Sequence, residues 1–537
     1  MQRADRRQGA PDHRPDTPYH RRSGRFPLRH VNPPSPQPPY EPFQRAHRPP
    51  RPYAATMPRR HLRVRAAETA RINTELAELR SRLEVRAEWP AEVLAEAERT
   101  ASLPRLPELD ATDLELFTLD PPGSLDLDQA MHLARRGTGY RVHYAIADVA
   151  AFVTPGGAVD IEAHRRIQTY YFPDLNIPLH PARLSEGAAS LLPGERRPAL
   201  LWQLDLDADG AVLLADVRRA QVRSRRRLDY AGVQQAVDSG TADPQLALLG
   251  EIGSLREARE RDRGGVSLPL PEQEVETADG GYRLVYRAPR PADAWNAQIS
   301  LLTGMAAADL MLDAGIGLLR TLPAAPASAY ARLRRVAAAL HVEWPDRMPY
   351  PELIRSLDPA RTADAAFLNE CTGLLRGAGY HAFDAAKGVR PPADPGHAAL
   401  AAPYAHCTAP LRRLGDRYAQ EICVAVAAGA DVPDWVRESL TAVPGLMESG
   451  DRRARELERA CVDLVEAELL RGRVGEDFEA VVIDVDERRP ESGTVQLREP
   501  AVVAKCEGSL RLPLGERILV RLTTADPVTR TVRFAPA

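Results

Sequence analysis

The chain has 537 residues, a formal net charge of −3, 44% hydrophobic and 27% charged residues, which suits about three globular domains and excludes a generally basic nucleic-acid-coating protein. No apolar run reaches membrane-spanning length, and the start Met1-Gln2-Arg3-Ala4-Asp5-Arg6-Arg7 lacks the hydrophobic stretch of a secretory signal. The five cysteines (Cys371, Cys407, Cys423, Cys461, Cys506) are odd in number and never in C-x-x-C spacing, which argues against a zinc site and points to a reducing cytoplasm.

Residues 1–56 are rich in Pro, Arg and His and nearly free of aliphatic residues, so they cannot bury a core and are expected to be disordered. They hold 11 Arg against 4 acidic residues, or +7, which leaves −10 for residues 57–537. Two readings stay open: a basic tail that attracts RNA, or a start codon placed too early, with translation beginning at Met57. Over 57–110 the pattern is helical. Ile72, Leu76, Leu79 and Leu83 recur at three- and four-residue spacing, and Pro90 starts a second helix.

From residue 111 the pattern turns to strands. Leu114, Leu116 and Leu119 lead into Asp120, Pro121-Pro122-Gly123 forces a turn, and Asp126 and Asp128 follow with one apolar residue between them. In an extended chain Asp126 and Asp128 share a face while Leu125 and Leu127 point the other way, and the turn can fold Asp120 back beside them. Three carboxylates crowded against buried leucines need a compensating cation, and oxygen-only ligands suit Mg²⁺ or Mn²⁺. An Asp-rich surface loop with no metal is the competing interpretation.

Tyr140, Val142, Tyr144 and Ile146 alternate after Arg136-Gly137-Thr138-Gly139, so 130–146 reads as a β-hairpin that buries one face. Residues 151–198 read as loop-rich, and a further hairpin spans about 199–223 before Arg225-Arg226-Arg227-Leu228-Asp229-Tyr230. Apolar helices are expected over 294–314 and 324–342, a loop then a helix over 397–430, and a connecting helix within 441–474. The tail from 475 returns to strands at Phe478–Val485, Ser509–Leu512, Ile518–Leu522 and Thr531–Phe534, the pattern of a small OB-type barrel.

Three segments together resemble the ribonuclease II/ribonuclease R family, whose catalytic part is the RNB domain. The first is Asp120 through Asp128. The second runs from Val153-Thr154-Pro155-Gly156-Gly157 through Asp160 and Glu162 to Tyr171-Phe172-Pro173, Asn176-Ile177-Pro178 and Leu184-Ser185. The third is Gly396-His397 with Tyr404-Ala405-His406-Cys407-Thr408-Ala409-Pro410-Leu411-Arg412-Arg413 and Asp416. The resemblance covers about 111–470. It implies an α+β chain: an RNB core over 111–440, with a mixed sheet and helices around a narrow RNA channel, then the connecting helix and an S1-like barrel over 475–537. The cold-shock domains usual at the family's N-terminus are not recognisable here.

The activity implied is hydrolysis of single-stranded RNA from its 3′ end to nucleoside 5′-monophosphates, in RNA turnover. A pair of metal ions about 4 Å apart, Mg²⁺ or Mn²⁺, would activate the water and neutralise the phosphoryl oxygens. By the match, Asp120, Asp126, Asp128 and Gln129 hold metal, and Asp128, Arg412 and Tyr230 carry catalysis. Tyr171, Asn296, Gln298, His406 and Arg413 contact RNA. Single-stranded RNA is the expected partner of a monomer that needs no membrane and no small organic cofactor. For Tyr171 the neighbouring Tyr170 competes, and for Arg413 and His406 a structural role competes.

Two positions depart from the family. Gln129 stands where a fourth Asp is usual, and Asn296 and Gln298 stand where the helix commonly carries acids. Both departures replace acids with amides, so the alternative is an RNA-binding protein on an RNB scaffold with weakened hydrolysis. A third reading, a regulatory or structural protein with a bare Asp loop, has no use for Arg412.

Overall fold

Two helices, α1 (Ala66–Arg82) and α2 (Ala91–Ser102), open the part described by the computed structural model, which is residues 66–537 except 270–271, 279–280, 288–289, 360, 487 and 498–499. The tail expected over 1–56 lies outside the described residues. Helix α2 starts after Pro90, as its fixed φ favours. Ile72, Leu76 and Leu79 line one face of α1 and are buried with Leu457, Cys461 and Leu464 of the long connecting helix.

Next come the strands β1 (Leu116–Leu119), β2 (Gln129–Arg136), β3 (Gly139–Ala147), β4 (Tyr170–Tyr171), β5 (Asn176–Ile177), β6 (Arg196–Leu206) and β7 (Val212–Leu228). β4 and β5 form a short hairpin of their own. The other five close into a barrel in the order β1-β2-β3-β6-β7, sealed by a parallel pairing of β1 with β7. Closure removes the unpaired edges that an open sheet would expose. Along β3, Tyr140, Val142, Tyr144 and Ile146 fill one core, while Ala145 and Ala147 on the opposite face join a second core with Val93 and Ala97 of α2. Small residues on that second face let a helix lie close to the barrel.

The stretch 151–198 is less loop-like than its sequence suggests, because Ala158–Arg166 is a helix, α3. The signal was present: Asp160 in the first turn and His164, Arg165 and Arg166 in the last complement the helix dipole. Helices α4 (Tyr230–Asp238), α5 (Pro244–Arg263) and α6 (Pro291–Ala314) follow the barrel. α6 has buried residues along most of its length because α5, the helix Leu414–Ala427 and the strand Ile316–Thr321 all pack against it. The helix expected over 324–342 spans Ala327–Ala339, and the connecting helix spans Val443–Leu470.

The C-terminal unit is a closed five-stranded barrel whose third and fifth strands run parallel. Ser509–Leu512 is a loop, not a strand, and Leu510 there is 78% exposed. The ladder is built instead from Ser492–Leu497 and Val503–Glu507, whose side chains alternate between buried and more accessible. Gly508 and Pro513 bracket 509–512, and the Leu512 amide donates to the Pro490 carbonyl at 2.9 Å instead of joining a ladder. Among the described residues no helix is long and apolar enough to cross a membrane, and all five cysteines are buried free thiols.

Burial makes several histidines pH liabilities, His180 among them. His180 is 2% exposed with no partner for Nδ1, and burial followed by the nearby Arg417 charge pulls its pKa down to about 3. A depressed pKa means that the fold keeps the ring neutral, so its contribution is complete above the unfolded value of about 6.5 and is lost as pH falls. By pH 5 that loss is about 2 kcal/mol. His180→Gln should therefore flatten the dependence of the urea midpoint on pH between 7 and 5. Parallel curves for the two proteins would refute this.

Candidate active site

The Asp segment is anchored at both ends. β1 ends at Leu119, and the Asp120 amide donates to the Leu228 carbonyl at 3.1 Å, tying the turn to β7. Gly123 turns the chain at φ +87°, a conformation that costs glycine little. Leu127 then pairs with a neighbouring loop: its amide donates to Ser190 Oγ at 3.0 Å, and its carbonyl accepts from the Leu191 amide at 3.0 Å. Leu127 is fully buried, but Leu125 is 46% exposed, so only one of the two leucines expected to face the core does so.

The loop 404–413 meets this segment from the other side of the site. It can approach α6 because residue 304 is glycine: a Cβ there would lie 2.2 Å from the Tyr404 ring and 2.6 Å from the Ala405 carbonyl. Asp416, fully buried at the start of the helix Leu414–Ala427, accepts the Ala409 amide at 2.8 Å and both prongs of Arg413 at 3.0 and 2.9 Å. Thr408 knits three elements together. Its carbonyl accepts from Gln129 Nε2 at the head of β2, and its hydroxyl bonds Ser300 of α6 at 2.9 Å.

So held, the loop delivers Arg412 to Asp128. Asp128, 1% exposed, accepts the Leu411 amide through Oδ1 at 2.8 Å and Arg412 Nε through Oδ2 at 2.7 Å. The Arg412 side chain is 42% exposed, so one edge of its fork is spent on Asp128 while part stays accessible. Burial pushes the Asp128 carboxyl up to about 7 against the opposing pull of Arg412 and the Leu411 amide. Burial likewise raises Asp120 to about 6, with Arg412 and Arg227 lowering it and Asp126 raising it. Asp126 is raised as well, again mainly by burial. Arg412 remains a cation, since the charge of Asp128 outweighs the cost of its burial.

All three carboxylates thus lie within reach of the Arg412 guanidinium, and Asp120 within reach of Arg227 as well. Among the described residues no three His, Cys, Asp or Glu side chains are gathered tightly enough to enclose a metal ion as they stand. Nevertheless, the donors fit a hard divalent cation. They are all oxygens, Asp120 Oδ2 is buried without a hydrogen-bond partner, and burial disfavours each anion until positive charge arrives.

The remaining expected site residues divide. Tyr171 on the β4–β5 hairpin is 51% exposed and lies close enough to Arg412, Asp126 and Asp128 to feel their charge, whereas Tyr170 is buried in the core. The two tyrosines occupy opposite faces of the hairpin, so Tyr171 alone of the pair is exposed beside the Asp cluster. Tyr230, first residue of α4, sits beside Asp120, and its hydroxyl accepts from Asn296 Nδ2 at 3.1 Å. Gln298 faces away. It is 4% exposed and donates to Glu260 of α5 at 2.6 Å, because residues two apart on a helix point in nearly opposite directions.

Arg413 and His406 are also held within the protein. Both prongs of Arg413 are spent on Asp416, the structural alternative foreseen for it. His406 Nδ1 bonds the Tyr380 hydroxyl at 2.7 Å, and burial with Arg413 and Arg320 nearby holds its pKa well below the usual range. A neutral imidazole brings no charge to a phosphate. The sequence had not singled out Ser300, Asp416 or Tyr144 as parts of the site. Tyr144 is a buried phenol whose proton is held by burial first and then by Asp120 and Tyr230. Only the Arg413/Asp416 spacing was a usable sign.

Comparison with known proteins places the chain's two parts in known families. The RNB domain model matches residues 109–429, and the model of the RNase II-type exonuclease C-terminal S1 domain matches residues 476–537. Exoribonuclease 2 of Photorhabdus laumondii is 31% identical over 221 residues, which is 39% of this chain and 34% of that protein. Ribonuclease R of Thermotoga maritima is 26% identical over 425 residues, 74% of this chain and 58% of its own length. The matches thus span from about a third to under two thirds of these relatives. Among solved structures, Mycoplasma genitalium RNase R in complex with ribose methylated single-stranded RNA superposes with a TM-score of 0.77 over 87% of this chain and 78% of its own, at 17% identity, a likeness of fold.

Proposed function

We propose that this chain, which belongs to the RNB-domain family, hydrolyses single-stranded RNA from the 3′ end and releases nucleoside 5′-monophosphates. The observation that carries the reading is the buried Asp128 joined to a half-exposed Arg412 beside Asp120 and Asp126. A scaffold that only bound RNA would have no use for carboxylates that burial makes this costly. A divalent cation held by Asp120, Asp126 and Asp128 would activate water and offset charge on the phosphoryl oxygens.

The chain's own side chains supply the rest. Asp128 aims the Arg412 fork, and its free edge hydrogen-bonds the phosphoryl oxygens as their charge grows. Tyr171 offers an exposed ring on which any base can stack, as a nuclease indifferent to sequence requires. The Tyr230–Asn296 pair stands beside Asp120, where it can meet a ribose hydroxyl, the group that distinguishes RNA from DNA. Gln129 contributes by holding the Thr408 carbonyl, a task that needs an amide donor.

The test is cleavage of a 5′-labelled RNA of about 30 nucleotides, enough to cover several nucleotides of binding site, in Mg²⁺ or Mn²⁺. The expected result is a ladder that shortens from the 3′ end, with mononucleotides as the soluble product. Binding without cleavage in either metal would overturn the nuclease reading in favour of the RNA-binding one.

A further inference from the structure

We propose that a concave, arginine-lined face, formed where the end of α1, the connecting helix and the last turn of the C-terminal barrel meet, is a second binding site for the sugar-phosphate backbone of single-stranded RNA. This rests on the reading of the chain as an RNA-degrading enzyme, and it adds a site remote from the Asp cluster in sequence.

Arg452, Arg455 and Arg459 fall at i, i+3 and i+7 of the helix Val443–Leu470, so they form one stripe, and all three are exposed. The opposite side of that helix is buried in the core. Arg82 joins them from the last turn of α1, and Arg530 from the turn between the last two strands. Together they line a cavity of about 450 Å³ in which five arginines face only Glu456 and Asp463. Arg530 occupies it at φ +51°, a backbone conformation that a side chain rarely adopts.

These guanidiniums are not engaged elsewhere. Among the described residues Arg82, Arg455, Arg459 and Arg530 form no ion pair within 4 Å, and Arg452 reaches Glu448 only at 3.7 Å, with both ends exposed. Composition does not account for the cluster, since residues 57–537 carry −10 overall. The stripe runs over about 10 Å of helix, room for more than one phosphate, and guanidinium forks suit phosphate oxygens.

Continuity with the catalytic side favours RNA over an acidic protein. The next residue in the helix, Arg453, lies over the Tyr170 ring at 6.0 Å, and Tyr171 beside it is the exposed tyrosine of the candidate active site. A strand leaving Tyr171 therefore has a basic surface beyond the hairpin to follow.

The experiment measures affinity of the full chain for labelled RNAs of about 20 and about 4 nucleotides in EDTA, across a salt series. The comparison is between wild type, Arg452→Gln/Arg455→Gln/Arg459→Gln and the corresponding triple Lys variant. The Gln variant should bind the long RNA about 10- to 100-fold more weakly, with the salt slope reduced by about 2. The tetramer should bind all three proteins within about twofold, and the Lys variant should recover most of the affinity, as phosphate contacts predict. Thermal melts of all three should coincide. If wild type binds long RNA and the Gln variant binds it equally with the same slope, the site is refuted while the nuclease reading stands. If wild type binds no RNA, both fall. If only binding of polyglutamate is lost in the Gln variant, the face serves an acidic protein and the proposal is wrong.

Discussion

Asp128→Asn is expected to lower the single-turnover rate of RNA hydrolysis by about 10³-fold or more while RNA affinity changes little. The substitution conserves shape, so the loss isolates charge. Asp128 accepts from two donors, the Leu411 amide and Arg412 Nε. An asparagine has one acceptor oxygen for them, and its amino group must then oppose a second donor. The variant therefore loses a carboxylate from the cation-binding set and releases the guanidinium that the loop delivers. Arg412→Lys separates these effects, since it keeps the positive charge but loses the fork, and about 10²-fold is expected. Quenched cleavage of a labelled RNA beside anisotropy binding in EDTA reads both quantities. Asp128→Asn retaining more than about a tenth of the rate would remove this residue from the chemistry.

Arg417→Met is expected to destabilise the fold by about 3–5 kcal/mol, the largest stability effect foreseen here. Arg417 and Asp160 have side chains only 3% and 10% exposed and meet at 2.5 Å. Arg417 also donates to the Val153 carbonyl at 3.1 Å and lies over the Trp435 ring at 4.5 Å. Asp160 in turn accepts the Gly156 amide at 2.8 Å, so the pair joins the helix Leu414–Ala427 to the turn ahead of α3. Methionine fills the volume but leaves Asp160 as a buried anion without its counter-charge. Urea unfolding measures the loss, and Arg417→Met/Asp160→Asn should regain part of it. A loss below about 1 kcal/mol for the single variant would mean that the pair is solvated and weak.

The second family segment gains a different meaning from this. Asp160 and Glu162 belong to a stretch whose resemblance pointed to a nuclease, yet each is spent on a buried structural pair. Asp160 meets Arg417 and Glu162 meets Arg166 at 2.9 Å, with Arg166 in turn lying over the Trp89 ring at 3.5 Å. Acidic residues in a motif can thus serve the frame of a site and never touch its substrate. Arg413 and Asp416 make the same point in the third segment.

Patterns repeated along the chain were readable without coordinates. The alternation from Tyr140 to Ile146, the helical spacing of Ile72, Leu76 and Leu79, and the Asp120–Asp128 segment each depend on local periodicity or turn chemistry, which one stretch of sequence carries whole. Short pieces were read less well. α3 was masked by the Thr154-Pro155-Gly156-Gly157 turn ahead of it, and Ser509–Leu512 looked like a strand although it has no partner strand.

Read alone, the residues supply an inventory: three aspartates flanking a rigid turn, an arginine in a Thr-x-Pro-containing loop, a barrel at the end, and the family that these suggest. Which members of that inventory meet is set by tertiary packing. Arg412 faces Asp128 across 284 positions of sequence, whereas Arg413 next to it turns to Asp416. Asn296 faces Tyr230, but Gln298 points to Glu260, and Tyr171 reaches the site while Tyr170 enters the core. In each pair the residues are one or two apart, and the backbone sends them to different faces. Which face meets the site depends on the packing of distant elements, and no local pattern records that.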